Sequence, residues 1–155
     1  MSPRRGSRTE REFSAGGVVV RERGGEWHCV VIVPSRRSAN GKALLTLPKG
    51  HPDGDETAEL AALREVREET GVDAEVERAL GEVRYWYQRD GRRIAKRVSF
   101  FLLRWCAGDP ETHEDHEVDS AQWMPMAEAA TQLSHRGERD MTARALQFVN
   151  GDHDA

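Results

Sequence analysis

A chain of 155 residues fits a single domain. Hydrophobic residues make up 37% of it and charged residues 32%, which describes a polar globular protein, and apolar runs such as CVVIV are too short to span a bilayer. The net charge of -4 argues against general nucleic-acid binding. Two local clusters of arginines are positively charged, one in residues 1–11 and one from Arg89 to Arg97.

The N-terminal sequence MSPRRGSRTERE is basic and polar, so we expect a flexible tail over residues 1–11 and one folded domain over residues 12–150. This sequence has no apolar core of the kind that a secretory signal carries, so the expected location is cytoplasmic. Cys29 and Cys106 each lie in an apolar, strand-like run, which predicts two buried free thiols rather than a disulfide or a metal pair.

The first half of the chain predicts strands followed by a helix. FSAGGVVV and WHCVVIV are apolar and β-branched and flank RERGGE, whose two glycines suit a turn, and ALLTL predicts a third short strand. From Thr57 to Thr70 the apolar positions recur at helical spacing. Asp55 or Thr57 can cap the start of this helix, and Gly71 lies where a left-handed C-terminal cap belongs.

The second half predicts extended runs over residues 73–88 and 94–106, another at AQWMPM, and an amphipathic helix from about Glu138 to Val149. Asp90-Gly91 lies between the two long runs and indicates a two-residue β-hairpin turn. Strands that alternate with helices are typical of an α/β layered domain.

The helix predicted from Thr57 to Thr70 carries an apolar face and an acidic face. The apolar face holds Leu60, Leu63 and Val66, and the acidic face holds Glu65, Glu68 and Glu69 with Ala58, Ala61 and Ala62. Helical geometry places the three carboxylates within an arc of about 100°, where each like-charge pair costs about 0.2–0.5 kcal/mol in an isolated helix. The small alanines leave room for whatever approaches the carboxylates.

Three interpretations of the acidic face compete. It is a solvated surface if Arg64 and Arg67 reduce the repulsion between the carboxylates, but neither arginine can form ion pairs with all three acids. It is a metal site if a divalent cation supplies the positive charge, because clustered carboxylate oxygens suit Mg²⁺ or Mn²⁺. Paired acids for glycoside hydrolysis normally come from separate elements rather than from one helical turn.

The sequence around this helix resembles the Nudix box. Gly50, five residues, Glu56, seven residues and then REVREETGV, which begins at Arg64, fill every defining position of that signature. The resemblance implies an α/β/α sandwich with a mixed β-sheet over about residues 12–149, in which the box forms a loop, a helix and a loop. It also implies a phosphoanhydride hydrolase that depends on Mg²⁺ or Mn²⁺.

The family resemblance assigns roles by position. The carbonyl of Gly50 and the carboxylates of Glu65 and Glu69 are implied metal ligands, and Glu68 is implied to bind metal directly or through water. A metal that bridges a pyrophosphate neutralises its charge and can activate a bound water.

Arg64 matches the arginine that orients the carboxylates in the family, and we expect it to act through Glu56. The general base stays open between Glu117, which stands six residues before Trp123 as in several family members, and Glu68 of the helix. His113 and His116 have a ligand-like spacing, but histidines in a polar loop are more often merely exposed.

The Asp90-Gly91 turn fixes a register in which Tyr85 faces Lys96 and Tyr87 faces Ile94, all on one side of the sheet. This arrangement offers an ammonium to a phosphate beside two aromatic rings for a base. The alternative is that both tyrosines are ordinary half-buried strand residues at a solvated hairpin.

Within the family, the chain is most similar in motif to diadenosine polyphosphate hydrolases. The similarity lies in LPKGH, which contains Lys49 and His51, in the position of Tyr87 after the box, and in Lys96 of KRVSFFL. Arg36 and Arg37 could also reach a substrate. The resemblance implies that Lys49, His51, Tyr87 and Lys96 contact a dinucleoside polyphosphate.

The resemblance also leaves alternatives. Diphosphoinositol polyphosphates or (oxidised) nucleoside triphosphates are other substrates, and a nucleotide sensor without catalysis is another class of function. The expected partner is a small nucleotide or polyphosphate, with no nucleic acid and no membrane, and the protein is expected to be a monomer or a homodimer.

Overall fold

The computed structural model describes residues 9–151, which form one mixed six-stranded sheet with helices on both faces. The strands are Thr9–Arg23 (β1), Glu26–Pro34 (β2), Lys49–Gly50 (β3), Asp73–Arg89 (β4), Arg92–Ala107 (β5) and Val118–Pro125 (β6). The helices are Ala58–Thr70 (α1), Met126–Gln132 (α2) and Arg136–Val149 (α3), and Pro110–Thr112 forms a 3₁₀ turn.

The sheet order is β4-β5-β1-β2-β6, and β3 pairs with β1. β1 and β5 run parallel, whereas the other pairs are antiparallel. The sheet is therefore mixed, as expected.

Alternation along β1 divides the core into two layers. Val18 and Val20 pack with α2 and α3 on one face, and Ala15 and Val19 pack with α1 on the other. Because every second residue of a strand points to the same face, both faces of this apolar strand need a helical cover. The result is the expected α/β/α sandwich.

Helix α1 begins and ends as its sequence predicts. The side chain of Thr57 accepts a hydrogen bond from the backbone N of Leu60 at 3.2 Å, and Gly71 adopts a left-handed φ of 73°. The predicted apolar face is wrong in part, because Leu60 is 56% exposed, whereas Ala61 and Ala62 are fully buried under the sheet. Small side chains are favoured where α1 contacts β1, because Ala61 and Ala62 pack there against Ala15 and Val19.

Several predicted boundaries differ from the structure. ALLTL does not form a strand; Thr46 makes an isolated bridge to Ile32, and the short strand follows at Lys49–Gly50. β1 begins at Thr9, so residues 9–11 of the expected tail pair with β5, and residues 1–8 lie outside the described residues. Helix α2 was not predicted, because its seven residues are too short for a clear helical period.

The buried-thiol prediction holds for one cysteine. Cys29 is fully buried in β2, whereas Cys106 is exposed close to the end of β5. The prediction for Cys106 is wrong because the end of this strand extends past the core. Within the described part of the chain, no helix has the length and apolar character needed to cross a membrane.

The β4–β5 hairpin has the predicted turn and register. Asp90 and Gly91 both have positive φ, 53° and 75°, as a two-residue turn between twisted strands requires. Tyr85 lies opposite Lys96, and Tyr87 lies opposite Ile94.

Candidate metal and nucleotide site

Helices on the two faces of the sheet hold the segment from Leu47 to Gly50 between them. On one side, the backbone N of Leu47 donates to Oε1 of Glu138 in α3 at 2.8 Å. On the other side, the backbone N of Lys49 donates to Oε1 of Glu69 in α1 at 3.1 Å. Together with the pairing of β3 to β1, these bonds fix the backbone of Gly50 beside the acidic side of α1.

Gly50 is a glycine because the carboxylate of Glu65 occupies the space of a side chain. A Cβ placed on Gly50 would lie 2.1 Å from Cδ of Glu65, closer than real Cβ contacts. The side chain of Glu65 is only 14% exposed. The strand and this carboxylate are therefore packed against each other.

The carboxylate of Glu69 is partly buried close to the charge of another carboxylate, that of Glu65. Burial, and then the nearby charge of Glu65, raise the pKa of Glu69 to about 8 from its ordinary value of 4.5. Burial also raises the pKa of Glu65. Because desolvation disfavours the charged form, a cation between these two groups would stabilise both carboxylates.

Arg64 donates hydrogen bonds to three glutamates, Glu56, Glu65 and Glu68, and we call it the Arg64 hub. Its Nε and Nη2 donate to the two oxygens of Glu56, each at 2.9 Å, and its Nη1 donates to Glu65 at 3.0 Å and to Glu68 at 3.1 Å. Nη2 also donates to the carbonyl of His51 at 2.9 Å. The bidentate bond to Glu56, the first cause of the lowered pKa of that carboxyl, fixes the guanidinium plane.

The residues of this site fit a hard divalent cation in their chemistry. Glu65 and Glu69 provide carboxylate oxygens beside the Gly50 backbone, which is the type of donor that Mg²⁺ and Mn²⁺ prefer. Over residues 9–151, no three His, Cys, Asp or Glu side chains form a ready-made metal cluster. The side chain of Glu68 is 54% exposed, so it differs from Glu65 and Glu69, which are partly buried.

An open cavity of about 530 Å³ adjoins these acids, and we call it the acidic cavity. It brings together most of the residues predicted for the site: Lys49, Gly50, His51, Glu65, Glu69, Lys96 and Glu117. Arg36 and His116 also line it, whereas Arg64, Glu56, Glu68 and Tyr87 do not. Acids for a metal and cations for phosphates therefore share one cavity of ligand size.

Glu117 reaches the acidic cavity from the loop before β6. Its carbonyl accepts from the backbone N of Ser35 at 2.9 Å, and Ser35 Oγ donates to the carbonyl of His116 at 3.2 Å. These bonds hold the loop against the end of β2. Glu117 is also close enough for its charge to contribute to the raised pKa of Glu65.

The two loop histidines do not form a common site. The Nε2 of His113 lies 2.8 Å from the carbonyl of Glu68, and its ring packs against Gly71 at the end of α1. His116 lines the acidic cavity instead. The spacing of the histidines is explained by a contact at the helix end rather than by shared metal ligation.

The two predicted lysines each pair with a glutamate that the sequence did not single out. Lys49 Nζ lies 2.9 Å from Oε2 of Glu138, with both side chains buried, and Lys96 Nζ lies 3.7 Å from Oε1 of Glu12. Burial lowers the pKa of Lys96. A signal for Glu138 exists in the sequence, because it shares the i, i+3, i+7 stripe of α3 with the buried Met141 and Ala145.

The two tyrosines of the hairpin differ in surroundings. The hydroxyl of Tyr87 donates to Oε1 of Glu12 at 2.5 Å, which ties its ring to β1. Tyr85 is 41% exposed and lines a second cavity of about 600 Å³ with Lys49 and Glu138. Because Lys49 lines both cavities, Tyr85 is the ring that is open to a group extending from the acidic cavity.

The chain thus combines an α/β/α sandwich with a short strand that ends in a glycine, a bidentate Arg-Glu pair and two partly buried helix carboxylates. A family model described as "NUDIX domain" matches residues 11–145, and the chain belongs to this family.

Two relatives with similar sequences are longer than this chain. "Putative mutator protein MutT4" of Mycobacterium tuberculosis is 40% identical over 153 residues, which cover 96% of this chain and 61% of that protein. An "8-oxo-(d)GTP phosphatase" of Mycolicibacterium smegmatis is 36% identical over 102 residues, which cover 66% of this chain and 30% of that protein. The chain therefore spans less than two thirds of these relatives.

Among solved structures, a C. elegans Ap4A hydrolase in a binary complex has the same fold, with a TM-score of 0.72. The match covers 90% of this chain and 98% of that chain at 22% sequence identity. At this identity the likeness concerns the fold.

Proposed function

We propose that this chain is a divalent-metal-dependent pyrophosphohydrolase that cleaves a phosphoanhydride bond of a nucleotide. The observation that carries the proposal is the pair of partly buried carboxylates, Glu65 and Glu69, beside Gly50 in a cavity that also contains lysines. A cation would stabilise the charged forms of these two acids, whose pKa values are raised, and the same cavity contains lysines that can face phosphates. Membership of the NUDIX domain family supports the same reaction class.

The proposed metal ligands are Glu65, Glu69 and Gly50, with Glu68 at the exposed edge of the cluster. A bound Mg²⁺ or Mn²⁺ would neutralise pyrophosphate oxygens and acidify a water. Arg64 and Glu56 hold Glu65 and Glu68 in place, so they act as positioning residues. Lys96, His51 and Lys49 line the cavity, where Lys96 is proposed to bind a phosphate directly.

We assign the general base to Glu117 rather than to Glu68. Glu117 lines the acidic cavity near Glu65, where a water next to a substrate phosphate would lie. Glu68 does not line this cavity, and its carboxylate accepts a hydrogen bond from Arg64. Glu117→Gln is expected to reduce kcat by about 10²–10⁴-fold with little change in metal affinity.

The proposed substrates are dinucleoside polyphosphates. A long polyphosphate requires several cations in a row, and Lys49, Lys96 and Arg36 line the same cavity. Tyr85 lies beyond Lys49 in the adjoining cavity, at the position where a base could stack once the phosphates bind. Tyr87, which the sequence predicts in this role, is a second proposed contact, but its hydroxyl is bonded to Glu12, which favours Tyr85.

A second candidate substrate is an oxidised nucleoside triphosphate. The observation in its favour is the similarity to proteins named as a mutator protein and as an 8-oxo-(d)GTP phosphatase. The same metal and phosphate groups serve both substrates, so the difference lies in the group beyond the phosphates.

The test is hydrolysis of a nucleotide panel by the purified chain with Mg²⁺ or Mn²⁺ in ¹⁸O-labelled water. The panel contains diadenosine tetraphosphate, a diphosphoinositol polyphosphate, dGTP and 8-oxo-dGTP. We expect the highest kcat/KM for the dinucleoside compound, and a preference for 8-oxo-dGTP would select the second candidate. Binding of nucleotides without turnover of any panel member would contradict the enzyme proposal and favour a sensor.

A further inference from the structure

The outer part of the sheet has a basic and aromatic face next to the acidic cavity. Side-chain alternation and strand register place residues of β1, β4 and β5 on this face: Arg11, Phe13, Arg84, Trp86, Arg93 and Arg97. All of them except Arg93 line an open groove of about 600 Å³. We call this feature the hairpin groove, with Arg93 at its edge.

Aromatic rings and guanidinium groups alternate in the hairpin groove. The guanidinium of Arg93 lies over the ring of Trp86 at 4.0 Å, and that of Arg97 lies over Phe13 at 4.7 Å. Trp86 is nevertheless 56% exposed, which is unusual for so large an apolar side chain. The ring is therefore accessible to a flat ligand group, with a cation already beside it.

The positive charge of the hairpin groove is only partly neutralised. One carboxylate, Glu82, pairs with both Arg84 at 3.2 Å and Arg97 at 3.5 Å. Arg11 and Arg93 form no ion pair with any residue of the described range 9–151. One acid, Glu12, lines the groove itself, but its carboxylate is already bonded to Tyr87 and Arg89.

We propose that the hairpin groove binds a single-stranded nucleic acid. Sequence-tolerant binding of single strands combines aromatic rings, on which bases stack, with cations that follow the phosphates. The groove has both, with Trp86 and Phe13 as rings, three lining arginines as cations and Arg93 at its edge. The overall charge of -4 averages over the whole surface and conceals this local region.

The hairpin groove and the acidic cavity meet at Lys96, which lines both. The Nδ1 of His51 also lies 2.9 Å from the carbonyl of Phe13, so the box loop is adjacent to the groove. A strand bound in the groove would therefore have one end next to the proposed phosphate site. Binding itself requires neither metal nor hydrolysis and is independent of the proposed function.

The test is fluorescence anisotropy of labelled single strands of about ten nucleotides with the full chain in EDTA. RNA and DNA strands are compared, together with a duplex and anionic lipid vesicles. With about four phosphate contacts, log Kd should depend on log salt with a slope of about 3 in magnitude. Tighter binding of RNA would identify RNA as the ligand, and equal binding would identify single strands in general.

Two groove variants and one matched control test the location. Trp86→Ala should weaken binding about tenfold, with Trp86→Phe retaining most of it, and Arg93→Ala should lower the salt slope by about 0.7. Arg78→Ala has the same charge change and also removes a guanidinium stacked on a ring, Phe148 at 3.8 Å, but lies outside the groove. It should leave binding unchanged.

Three results would overturn the proposal: no binding of a single strand by the wild-type chain, an equal loss in Arg78→Ala and Arg93→Ala, or vesicle or duplex binding as tight as that of a single strand. Hydrolysis of mononucleotide substrates by the Trp86 variants is measured separately. A loss of strand binding with intact hydrolysis would separate this proposal from the proposed function.

Discussion

The ammonium of Lys49 and the carboxylate of Glu138 form a buried ion pair, with Nζ 2.9 Å from Oε2. The other oxygen of Glu138 accepts the backbone N–H of Leu47, so one side chain of α3 holds both ends of the segment that leads to Gly50. Helix α3 is thereby connected to the proposed metal site on the opposite face of the sheet.

Removing this acid should destabilise the fold strongly. Glu138→Ala leaves a buried ammonium and a buried N–H without their acceptor, which should lower the free energy of unfolding by about 3–5 kcal/mol. Glu138→Gln keeps an acceptor for Leu47 and should cost less. Urea denaturation measures both, with the exposed Glu128→Ala as a control expected to stay within about 0.5 kcal/mol. Equal effects of Glu138→Ala and Glu128→Ala would contradict this prediction.

Glu56 should matter for the metal although it does not line the acidic cavity. Glu56→Gln weakens the bidentate bond that orients Arg64, and through Arg64 it loosens Glu65 and Glu68. Metal affinity or activity should fall by about 10–100-fold, as for other partners of metal ligands. Calorimetric titration with Mn²⁺ provides the measurement.

The control for Glu56 is another acid that pairs with an arginine of the same helix. Asp73 bonds Arg67 at 2.8 Å, but both side chains are more than half exposed, so this pair is worth little. Asp73→Asn should leave Mn²⁺ affinity unchanged. A similar loss in both variants would show that helix charge, rather than the Arg64 hub, determines the affinity.

The raised pKa of Glu69 predicts a pH dependence of the metal-free protein. Glu69 keeps its proton up to a pH of about 8 when folded, whereas the unfolded chain loses it near 4.5. The folded state binds more protons in this window, so the contribution of Glu69 to stability is present below pH 4.5 and is lost as the pH rises through 8.

Thermal unfolding in EDTA across this pH window checks that prediction. Comparison with Glu69→Gln isolates the contribution of one group, because the variant cannot titrate there and should show a smaller decrease of Tm with pH. Parallel pH profiles for both proteins would contradict it. Metal binding should also release a proton below pH 8, which calorimetry in buffers of different ionisation enthalpy detects.

The tyrosines of the hairpin should contribute unequally to substrate binding. Tyr85→Ala should raise KM for adenine nucleotides about tenfold by removing a stacking surface, and it should leave kcat nearly unchanged. Tyr87→Ala should raise KM less, because its hydroxyl is engaged by Glu12. Steady-state kinetics decide between them, and a larger KM effect at Tyr87 would restore the assignment made from the sequence.

Local signals in the sequence were sufficient for the parts of the fold that depend on neighbouring residues. Thr57, one of the two predicted N-terminal caps, and Gly71 limit α1, and the Asp90-Gly91 turn predicts the register that pairs Tyr85 with Lys96. Turns and helix caps depend on a few adjacent residues, so they can be predicted from the sequence. The family signature likewise predicted the sandwich fold.

Long-range packing accounts for what the sequence could not predict. Helical spacing places Glu65, Glu68 and Glu69 on one arc. In the structure Glu65 and Glu69 are partly buried beside β3, whereas Glu68 is exposed. The partner of Lys49 lies 89 residues away, at Glu138, and no local pattern connects the two. ALLTL has the composition of a strand, yet only its Thr46 pairs with β2, in an isolated bridge to Ile32.

The most direct test of the account is turnover with Mg²⁺ by Glu65→Gln/Glu69→Gln against the wild-type chain, with the fold of both verified by circular dichroism. The double variant keeps the shape of the site and removes the two charges that would hold the metal. We expect kcat/KM to fall by about 10³-fold or more, since a bound metal contributes several kcal/mol. Hydrolysis at the wild-type rate by the folded double variant would contradict the central claim.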